Sequence, residues 1–350
     1  MRALVKTAPG PGNLELRDLP VPRIGDNDIL LQVTRAGVCG SDLHIETGKH
    51  PCSPPVVLGH EFAGVVAAVG AGVTTFAEGD RAAFRHGWSP YPGVGGDGGF
   101  AEYMRCPADC MWPTPEGISD GEASQFETVI TPAALVREVV RVEPGDRVVV
   151  SGPGTIGLLA ANIAKIDGAS HVTVLGGPGD ERQRLPIALK MGADVAEVTS
   201  PEALERLKGD AAPRCWIEAS GAAAAIETAV QYVAPHGRIS VSGLGDGPWN
   251  VDMARVTWDS IAIEGRWGGS GEQMPDCARL MAERRLRVDL AIVDDRETVI
   301  GRVGKKRQDV HTTDDALGAR GQEIAQSLEG GAAGLGDHVA IGDEDRIALR

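Results

Sequence analysis

The sequence lacks paired cysteines, a surplus of positive charge and long apolar runs. Its six cysteines show no CxxC spacing, and we expect five of them to be buried free thiols of a reducing compartment. A formal net charge of −15 argues against nucleic acid and anionic membranes as partners. No window approaches the roughly 18 apolar residues of a membrane span. Residues 1–6 are expected to form a strand, not the start of a signal peptide, so we expect a cytoplasmic protein.

Two sequence patterns divide the 350 residues, a length that suffices for two domains. Over roughly the first 100 residues, short apolar runs such as 29–34 and 62–70 alternate with Gly and Pro, which is typical of antiparallel strands in a barrel-like domain. From about residue 119, a helix is predicted over 122–140, followed by apolar strands that alternate with helical segments. This alternation indicates a doubly wound α/β domain with a parallel sheet. Its predicted strands are 147–151, 171–175, 215–219, 238–242 and 261–264.

A glycine-rich loop follows the strand at 147–151. The residues Gly152-Pro153-Gly154-Thr155-Ile156-Gly157 stand between that strand and the helical run 158–166, which is the place of GxGxxG in a dinucleotide-binding unit. The glycines permit a tight turn and close approach to a pyrophosphate, and the helix N-terminus favours the anion. We therefore predict that a dinucleotide binds at Gly152, Gly154, Thr155, Ile156 and Gly157. The alternative is a glycine-rich turn without a ligand.

The end of the second strand of this unit decides between NAD and NADP. An acid there accepts hydrogen bonds from the ribose hydroxyls of NAD, whereas a small residue with a nearby arginine accommodates the 2′-phosphate of NADP. About 20 residues past the loop, Gly176 and Gly177 stand at this place, and Arg182 and Arg184 follow. The pattern favours NADP. A shift of one residue in the alignment would bring Asp180 to the ribose and favour NAD.

Three side chains within the first strand-rich segment form a possible metal site. Cys39, His60 and Glu61 combine a thiolate, an imidazole and a carboxylate, which together suit Zn²⁺ better than Ca²⁺ or Mg²⁺. Cys39 and His60 are separated in sequence, so the fold must bring them together. Taken singly, each residue has an ordinary structural role, and only their combination with the dinucleotide loop favours a catalytic site.

A zinc enzyme that oxidises an alcohol needs two further components. One is a relay that carries the alcohol proton to solvent, and the other is a hydride acceptor. Ser41 and His44 follow Cys39 closely and are candidates for the relay, whereas the dinucleotide is the acceptor. The alternative is that Ser41 and Asp42 cap a helix that contains Leu43 and His44.

Five motifs together resemble the zinc-dependent medium-chain dehydrogenase/reductase family, and within it the polyol (sorbitol-type) and threonine dehydrogenase branch. The resemblance covers about residues 1–293 in order. It implies a GroES-like β-barrel catalytic domain, residues 1–124 with 294–350, and a Rossmann domain, residues 125–293. It also implies a homodimer or homotetramer built through the Rossmann domains. The motifs are Gly37-Val38-Cys39-Gly40-Ser41-Asp42-Leu43-His44, Gly59-His60-Glu61-Phe62-Ala63-Gly64, Gly79-Asp80-Arg81, Gly98-Gly99-Phe100-Ala101-Glu102-Tyr103 and Gly152-Pro153-Gly154-Thr155-Ile156-Gly157.

The resemblance assigns roles to individual residues. Cys39 and His60 match zinc ligands, and Glu61 matches the acid that follows the ligand histidine. Glu127 stands where this branch has a Glu-Pro pair, the place of a third ligand or of a carboxylate that exchanges with water. Whether Glu61 or Glu127 contacts the metal stays open at this point. The two relay candidates named above also match the relay positions of the family.

The chain departs from the family in two places. Many relatives hold a second, structural zinc with four closely spaced cysteines, but the corresponding segment here, His86–Asp97, has no cysteine. We therefore predict a single catalytic zinc and a truncated lobe. In addition, Glu127 is followed by Thr128 instead of Pro. The tail after Asp294 is rich in Gly, Asp and Arg; a helix over 316–328 and a solvated surface segment are both open for it.

These observations predict a zinc-dependent oxidoreductase that transfers a hydride between a nicotinamide cofactor and a secondary alcohol or ketone. The branch suggests a small polar substrate: a polyol, a sugar, an aminocyclitol or a hydroxy amino acid. Two alternatives are a metal-free NADPH-dependent reductase of an activated double bond on the same fold and a nucleotide-binding protein without turnover.

Overall fold

The computed structural model describes residues 1–245 and 247–292. The chain divides into two compact units, Met1–Glu127 and Thr128–Ala291. Within the described ranges, every helix is too short or too polar to cross a membrane. The predicted tail helix at 316–328 and the part of the first predicted domain at 294–350 lie outside the described residues. The domain boundaries at 124/125 and 293/294 stay predictions.

The first unit consists of antiparallel strands, as its pattern of short apolar runs predicts. Its strands are β1 (Arg2–Lys6), β2 (Leu14–Asp18), β3 (Asp28–Gly37), β4 (Val56–Val57), β5 (Glu61–Val69), β6 (Arg81–Phe84), β7 (Tyr103–Pro107) and β8 (Met111–Pro113). Its helices are α1 (Gly40–Glu46) and α2 (Asp120–Ser124), with a 3₁₀ turn at Ala108–Cys110. One sheet has the order β2-β1-β4, and the other has the order β7-β3-β5-β6-β8.

The pairing of β3 with β5 places the sequence motifs beside each other. The two strands are antiparallel, and Gly37 at the end of β3 lies opposite Glu61 at the start of β5. Cys39 therefore leaves the sheet at the edge where His60 enters it, although the two residues are distant in sequence. On the other side of β5, Phe62 stacks on Phe84 of β6 with ring centroids 5.1 Å apart, and both side chains are fully buried.

The second unit is a six-stranded parallel sheet with the order β11-β10-β9-β12-β13-β14. Its strands are β9 (Arg147–Ser151), β10 (His171–Gly176), β11 (Val195–Val198), β12 (Cys215–Glu218), β13 (Arg238–Val241) and β14 (Ala262–Gly265). Its helices are α3 (Phe126–Ala134, beginning in the first unit), α4 (Thr155–Ile166), α5 (Arg184–Lys190), α6 (Pro201–Glu205), α7 (Ala223–Tyr232), α8 (Met253–Trp258), α9 (Met274–Ala282) and α10 (Val288–Ala291). Short 3₁₀ turns lie at Asp180–Arg182, Gly209–Ala211 and Gly271–Gln273. Numbered within the unit, the strand order is 3-2-1-4-5-6, that of a doubly wound dinucleotide-binding sheet, and it reverses between β9 and β12.

Two local predictions were wrong. The single helix predicted over 122–140 is three pieces, α2, α3 and a π-helical turn at Leu135–Val139. Pro132 lies inside α3 and has no N–H to donate to the helix, which favours a change of hydrogen-bond pattern in the next turn. The strand β11 was not predicted; it has four residues of intermediate exposure at the sheet edge, so it lacks the apolar run of the central strands.

Candidate metal centre and dinucleotide loop

Cys39 stands at the junction between β3 and α1. The helix begins at Gly40, and its first turn contains Asp42. The backbone N–H of Cys39 donates to Asp42 Oδ2 at 2.9 Å, so the carboxylate satisfies one of the unpaired N–H groups of the helix start. This contact fixes the backbone from which the Cys39 thiol projects. The sequence interpretation named Ser41 and Asp42 as the possible cap, and of these two residues it is Asp42 whose side chain accepts from the N–H of Cys39.

Three potential ligand atoms meet at this edge of the sheet. One atom each of Cys39, His60 and Glu61 lies within 4.8 Å of the others. His60 is 5% exposed and Glu61 is 1% exposed. Burying an imidazole, a carboxylate and a thiol together is costly unless a cation neutralises them. The donor set, with one sulfur, one nitrogen and one oxygen, fits Zn²⁺ with a position left open.

Asp42 also faces the imidazole of His60. Its Oδ1 lies 3.6 Å from His60 Nδ1, while Ser41 Oγ lies 3.4 Å from His60 Nε2. Burial lowers the pKa of His60, but Asp42 and Cys39 outweigh burial and raise that pKa well above its ordinary value. The negative groups that favour a protonated ring equally favour a metal cation at the ring. A carboxylate behind a ligating histidine fixes the ring orientation in metal sites.

Glu61 is held by a glutamine from the segment before α3. Gln125 Nε2 donates to Glu61 Oε2 at 3.0 Å, and Gln125 is 1% exposed. A Cβ atom on Gly37 would lie 2.1 Å from Glu61 Oε2 and 2.6 Å from Gln125 Nε2. Position 37 therefore has to be glycine for this pair to form. Sequence reasoning missed Gln125, although it stands two residues before the candidate Glu127.

Glu127 lies in α3 and is engaged by a tyrosine. Tyr91 Oη donates to Glu127 Oε1 at 2.5 Å. Burial raises the pKa of Glu127, and the nearby Glu61 adds to the rise. In the described residues, Glu127 is not among the ligand atoms that lie within 4.8 Å of one another. The geometry thus groups Glu61 with Cys39 and His60 and keeps Glu127 beside them.

His44 lies in the same short helix as Ser41, three residues later. Residues at this spacing occupy one face of a helix, and both side chains are half-buried. The structure therefore places Ser41 beside the imidazole of His60 and His44 one turn further along. Their proposed relay function stays a prediction.

The dinucleotide loop of the second unit joins β9 to α4. Gly154 is the residue before the helix, and Gly152 has a φ of 94°, which favours glycine. A Cβ on Gly157 would lie 1.9 Å from the carbonyl oxygen of Gly152, so the loop can close only on a glycine. Thr155 and Ile156 form the first turn of α4, where the backbone N–H groups are available to an anion.

A buried glutamate supports this loop and was not predicted. Glu218, at the end of β12, is fully buried, and its Oε1 accepts from the N–H groups of Ser220 at 2.7 Å and Gly221 at 3.0 Å. A Cβ on Gly152 would lie 2.6 Å from Ser220 N. Glu218 thus shapes the turn that packs against the dinucleotide loop. The signal in the sequence was a lone acid at the end of an apolar strand.

The side chain of Asp180, which follows β10 in the sequence, folds back onto the end of that strand. Asp180 Oδ2 accepts from Gly177 N at 2.8 Å, and a Cβ on Gly176 would lie 3.0 Å from the same oxygen. Arg184 Nη1 lies 3.8 Å from Asp180 Oδ1. The strand end therefore presents a carboxylate with an arginine beside it. Arg182 ends the 3₁₀ turn that follows.

Comparison with protein families gives two matches along the chain. The family "Alcohol dehydrogenase GroES-like domain" matches residues 25–116. The family "Zinc-binding dehydrogenase" matches residues 155–283. The first match contains the Cys39, His60 and Glu61 cluster, and the second begins at the start of α4.

Curated proteins and solved structures give consistent similarities. L-threonine 3-dehydrogenase of Saccharopolyspora erythraea is 35% identical over 296 residues, which cover 77% of this chain and 84% of that protein. Sorbitol dehydrogenase of Halalkalibacterium halodurans is 33% identical over 292 residues, 76% of this chain and 83% of that protein. The crystal structure of alcohol dehydrogenase TADH from Thermus sp. ATN1 aligns with a TM-score of 0.77 at 25% identity, covering 98% of this chain and 99% of that one.

Proposed function

The chain belongs to the zinc-dependent medium-chain alcohol dehydrogenase family, and on this basis we propose that it is a single-zinc dehydrogenase of secondary alcohols with small polar substrates. Family membership confirms the predicted GroES-like and Rossmann fold class. The protein is accordingly an enzyme, an oxidoreductase that transfers a hydride at CH–OH groups.

One observation carries the proposal. Cys39, His60 and Glu61 bring sulfur, nitrogen and oxygen ligand atoms within 4.8 Å of one another, with His60 and Glu61 buried and Cys39 half-buried. These three residues would hold the zinc. Bound there, a zinc ion supplies Lewis-acid polarisation of the substrate oxygen, which makes loss of the alcohol proton possible near neutral pH. The pairing of the two strand ends described above provides the rigid base that such a site requires.

The remaining residues of this edge serve orientation and proton transfer in the proposed reaction. Asp42 holds the backbone of Cys39 and faces His60 Nδ1, so it keeps two of the three donors in place. Oxidation of a secondary alcohol removes one proton and one hydride. Ser41 Oγ would take up the proton and the ring of His44 would pass it to solvent, while a bound nicotinamide would supply the hydride acceptor.

The dinucleotide is proposed to bind at Gly152, Gly154, Thr155, Ile156 and Gly157. The close approach of Gly157 to the carbonyl of Gly152 and the start of α4 support a pyrophosphate at this loop. We propose NADP as the preferred cofactor, with Gly177 leaving room and Arg182 and Arg184 binding the 2′-phosphate.

One observation favours NAD as a second candidate. Asp180 lies against the end of β10, with its Oδ2 at 2.8 Å from Gly177 N, and a carboxylate at this place attracts ribose hydroxyls and repels a phosphate. The ratio of kcat/KM for the two cofactors decides between them. If NADP is preferred, Arg184→Ala should reduce the preference, and Asp180→Ala should increase it; a clear preference for NAD abolished by Asp180→Ala would refute the NADP assignment.

The substrate proposal rests on chemistry shared by two relatives. Their names give L-threonine and sorbitol as substrates, and both compounds carry a secondary alcohol next to another polar group. We propose a substrate of this kind: a polyol, a sugar, an aminocyclitol or a hydroxy amino acid. A panel of such alcohols and their ketones, assayed by nicotinamide absorbance, identifies the class.

A homodimer or homotetramer formed through the second unit is part of the proposal. Within the described residues, β14 is an edge strand, and Trp258 and Trp267 near it are 86% and 75% exposed, which is unusual for a surface that faces only water. Light scattering of Trp258→Ser and Trp267→Ser variants tests this contact. The free state of all six cysteines supports a cytoplasmic location.

Elemental analysis and one substitution test the zinc proposal against its rivals. Protein purified without chelator should contain about one zinc per chain, and Cys39→Ala should lose zinc and turnover while it keeps its affinity for the nicotinamide cofactor. A metal-free reductase would retain activity after chelation. A nucleotide-binding protein without turnover would bind cofactor but transfer hydride to no alcohol or ketone.

A further inference from the structure

Tyr91 belongs to the segment His86–Asp97, which has no cysteine, and it reaches the metal centre. Its hydroxyl donates to Glu127 Oε1 at 2.5 Å. Its ring centroid lies 5.8 Å from that of His60. Tyr91 thus contacts Glu127, the carboxylate that the sequence predicts as a possible zinc ligand.

The backbone of this loop is held in place by hydrogen bonds. The carbonyl oxygen of Tyr91 accepts from Gly95 N at 2.9 Å and Gly96 N at 3.1 Å, which closes a tight turn. Farther along, Gly98 N donates to Val57 O at 2.8 Å, next to β4. The loop is therefore fixed to the strand segment that leads into His60, and the position of Tyr91 is set by main-chain contacts.

The ring of Tyr91 is confined as well. Phe84 meets it edge-on, with centroids 5.9 Å apart and planes at 66°, and His86 lies on another side at 5.9 Å. Aromatic neighbours at these distances restrict rotation of the ring. Because both backbone and ring are restrained, the hydroxyl is presented to Glu127 from a fixed point.

The contact with Glu127 is a strong hydrogen bond. A phenol O–H that donates to a carboxylate oxygen at 2.5 Å belongs to the short, charge-assisted class, about twice as strong as a neutral pair. Glu127 is 9% exposed, so few water molecules can replace the phenol. In the part of the chain that the structure describes, the carboxylate of Glu127 lies outside the group formed by Cys39, His60 and Glu61.

We propose that Tyr91 is a positioning residue that holds Glu127 away from the metal and so keeps one coordination position open for the substrate oxygen. To become a ligand, Glu127 has to move its carboxylate from its present place, and this movement strains or breaks the hydrogen bond from Tyr91. Tyr91 and zinc therefore compete for one carboxylate, and Tyr91 sets how often Glu127 occupies the open position. This inference rests on the proposed zinc site.

The test measures zinc affinity by competition with a chromophoric chelator, without cofactor or substrate. Tyr91→Phe removes only the hydroxyl, and it should bind zinc about tenfold more tightly than the wild type, because Glu127 becomes a free additional ligand. With Co²⁺ in place of zinc, the same variant should show weaker visible absorption, as expected for a higher coordination number. Its kcat should fall.

Two further variants show whether Tyr91 acts through Glu127. In a Glu127→Gln background, Tyr91→Phe should no longer change zinc affinity or the cobalt spectrum. Tyr103→Phe removes the same atom from a residue of β7 and serves as the matched control. Glu127→Gln alone should leave zinc affinity nearly unchanged, whereas loss of a true ligand or its orienting partner costs roughly 10–100-fold.

The possible outcomes are distinct. Unchanged or weaker zinc binding in Tyr91→Phe overturns the inference, because it assigns Tyr91 a structural or ligand-supporting role. A large loss of zinc in Glu127→Gln overturns it independently, even if Tyr91→Phe does not fold. If the wild type and Cys39→Ala bind zinc equally poorly, the proposed zinc function fails, and this inference fails with it. If the wild type binds zinc and the variants give one of the contrary results above, only this inference fails.

Discussion

Gly37→Ala is the sharpest test of how the metal centre is assembled. The position ends β3 directly opposite Glu61. An added Cβ would lie 2.1 Å from Glu61 Oε2 and 2.6 Å from Gln125 Nε2. Real Cβ atoms do not approach so closely, so the carboxylate and the amide must separate. We expect this single methyl group to weaken both the local fold and the metal site.

The magnitude follows from the two contacts that change. Forcing an extra carbon into a packed site costs about 1–3 kcal/mol. Losing the hydrogen bond from Gln125 Nε2 to Glu61 Oε2, now 3.0 Å, leaves buried polar atoms unsatisfied at a further cost of about 1–3 kcal/mol. The free energy of local unfolding should therefore fall by about 2–5 kcal/mol, allowing for partial relaxation.

Hydrogen exchange is the appropriate assay, because a two-unit chain need not unfold in one step. Metal-free protein should show exchange at least about tenfold faster in peptides from β3 and β5, since each 1.4 kcal/mol is a factor of ten. Zinc affinity should drop roughly 10–100-fold, as when the support of a ligand is lost. Gly271→Ala is the control, because a Cβ there meets nothing within 4 Å.

The reasoning would be refuted by a Gly37→Ala protein with wild-type exchange in β3 and β5. Normal exchange together with weakened zinc binding would show that the added methyl group disturbs only the ligand Glu61. The argument that it destabilises the packing of β3 and β5 would then be wrong. The same acceleration of exchange in β3 and β5 of Gly271→Ala would show that the effect does not depend on the contact with Glu61.

Three further outcomes are expected. Gly157→Ala should abolish cofactor binding in a fluorescence titration, because its Cβ would lie 1.9 Å from the carbonyl oxygen of Gly152; retained affinity would exclude the loop. Burial raises the pKa of Asp146, but hydrogen bonds from Arg214 and a backbone N–H outweigh burial and hold that pKa below its usual range. The stabilisation is full above the unfolded pKa and is lost as pH falls through the lower folded pKa, so Asp146→Asn should flatten acid unfolding below about pH 4. At pH 8 the half-buried thiols of Cys39 and Cys52 should be alkylated before the four buried ones, because burial raises the pKa of Cys110 to about 11 and the pKa values of Cys215 and Cys277 to about 12. Bound zinc should protect Cys39. Rapid labelling of the buried thiols would contradict the packing.

The sequence predicted the family and the parallel sheet, because short motifs and runs of apolar residues define both. The family follows from motifs in which each glycine has a local reason, such as Gly157 against Gly152. The parallel sheet of the second unit and the positions of its central strands follow from apolar runs that alternate with helical segments, because strands buried on both faces are uniformly apolar. Short edge elements such as β11 lack that signal and were missed.

The supporting residues of the metal centre could not be predicted from the sequence. Gln125 and Glu61 are in contact although they are 64 positions apart in the sequence, and Tyr91 and Glu127 are 36 positions apart. Both contacts depend on how strands and loops pack, which no short motif encodes. Asp42 is the exception, because an acid in the first turn of a helix after Cys39 is a recognisable cap, and only its second contact, with His60, required the structure.

The hydrogen bonds within the loop that carries Tyr91 determine how the protein responds to loss of its metal. A lobe that is held together by a bound metal loses its structure when the metal is removed or when the cysteine ligands are oxidised. Here the main chain itself ties Tyr91, Gly95 and Gly96 into a turn, and the segment contains no thiol. Loss of the metal should therefore silence the chemistry without dismantling the loop, and activity should return when zinc is supplied.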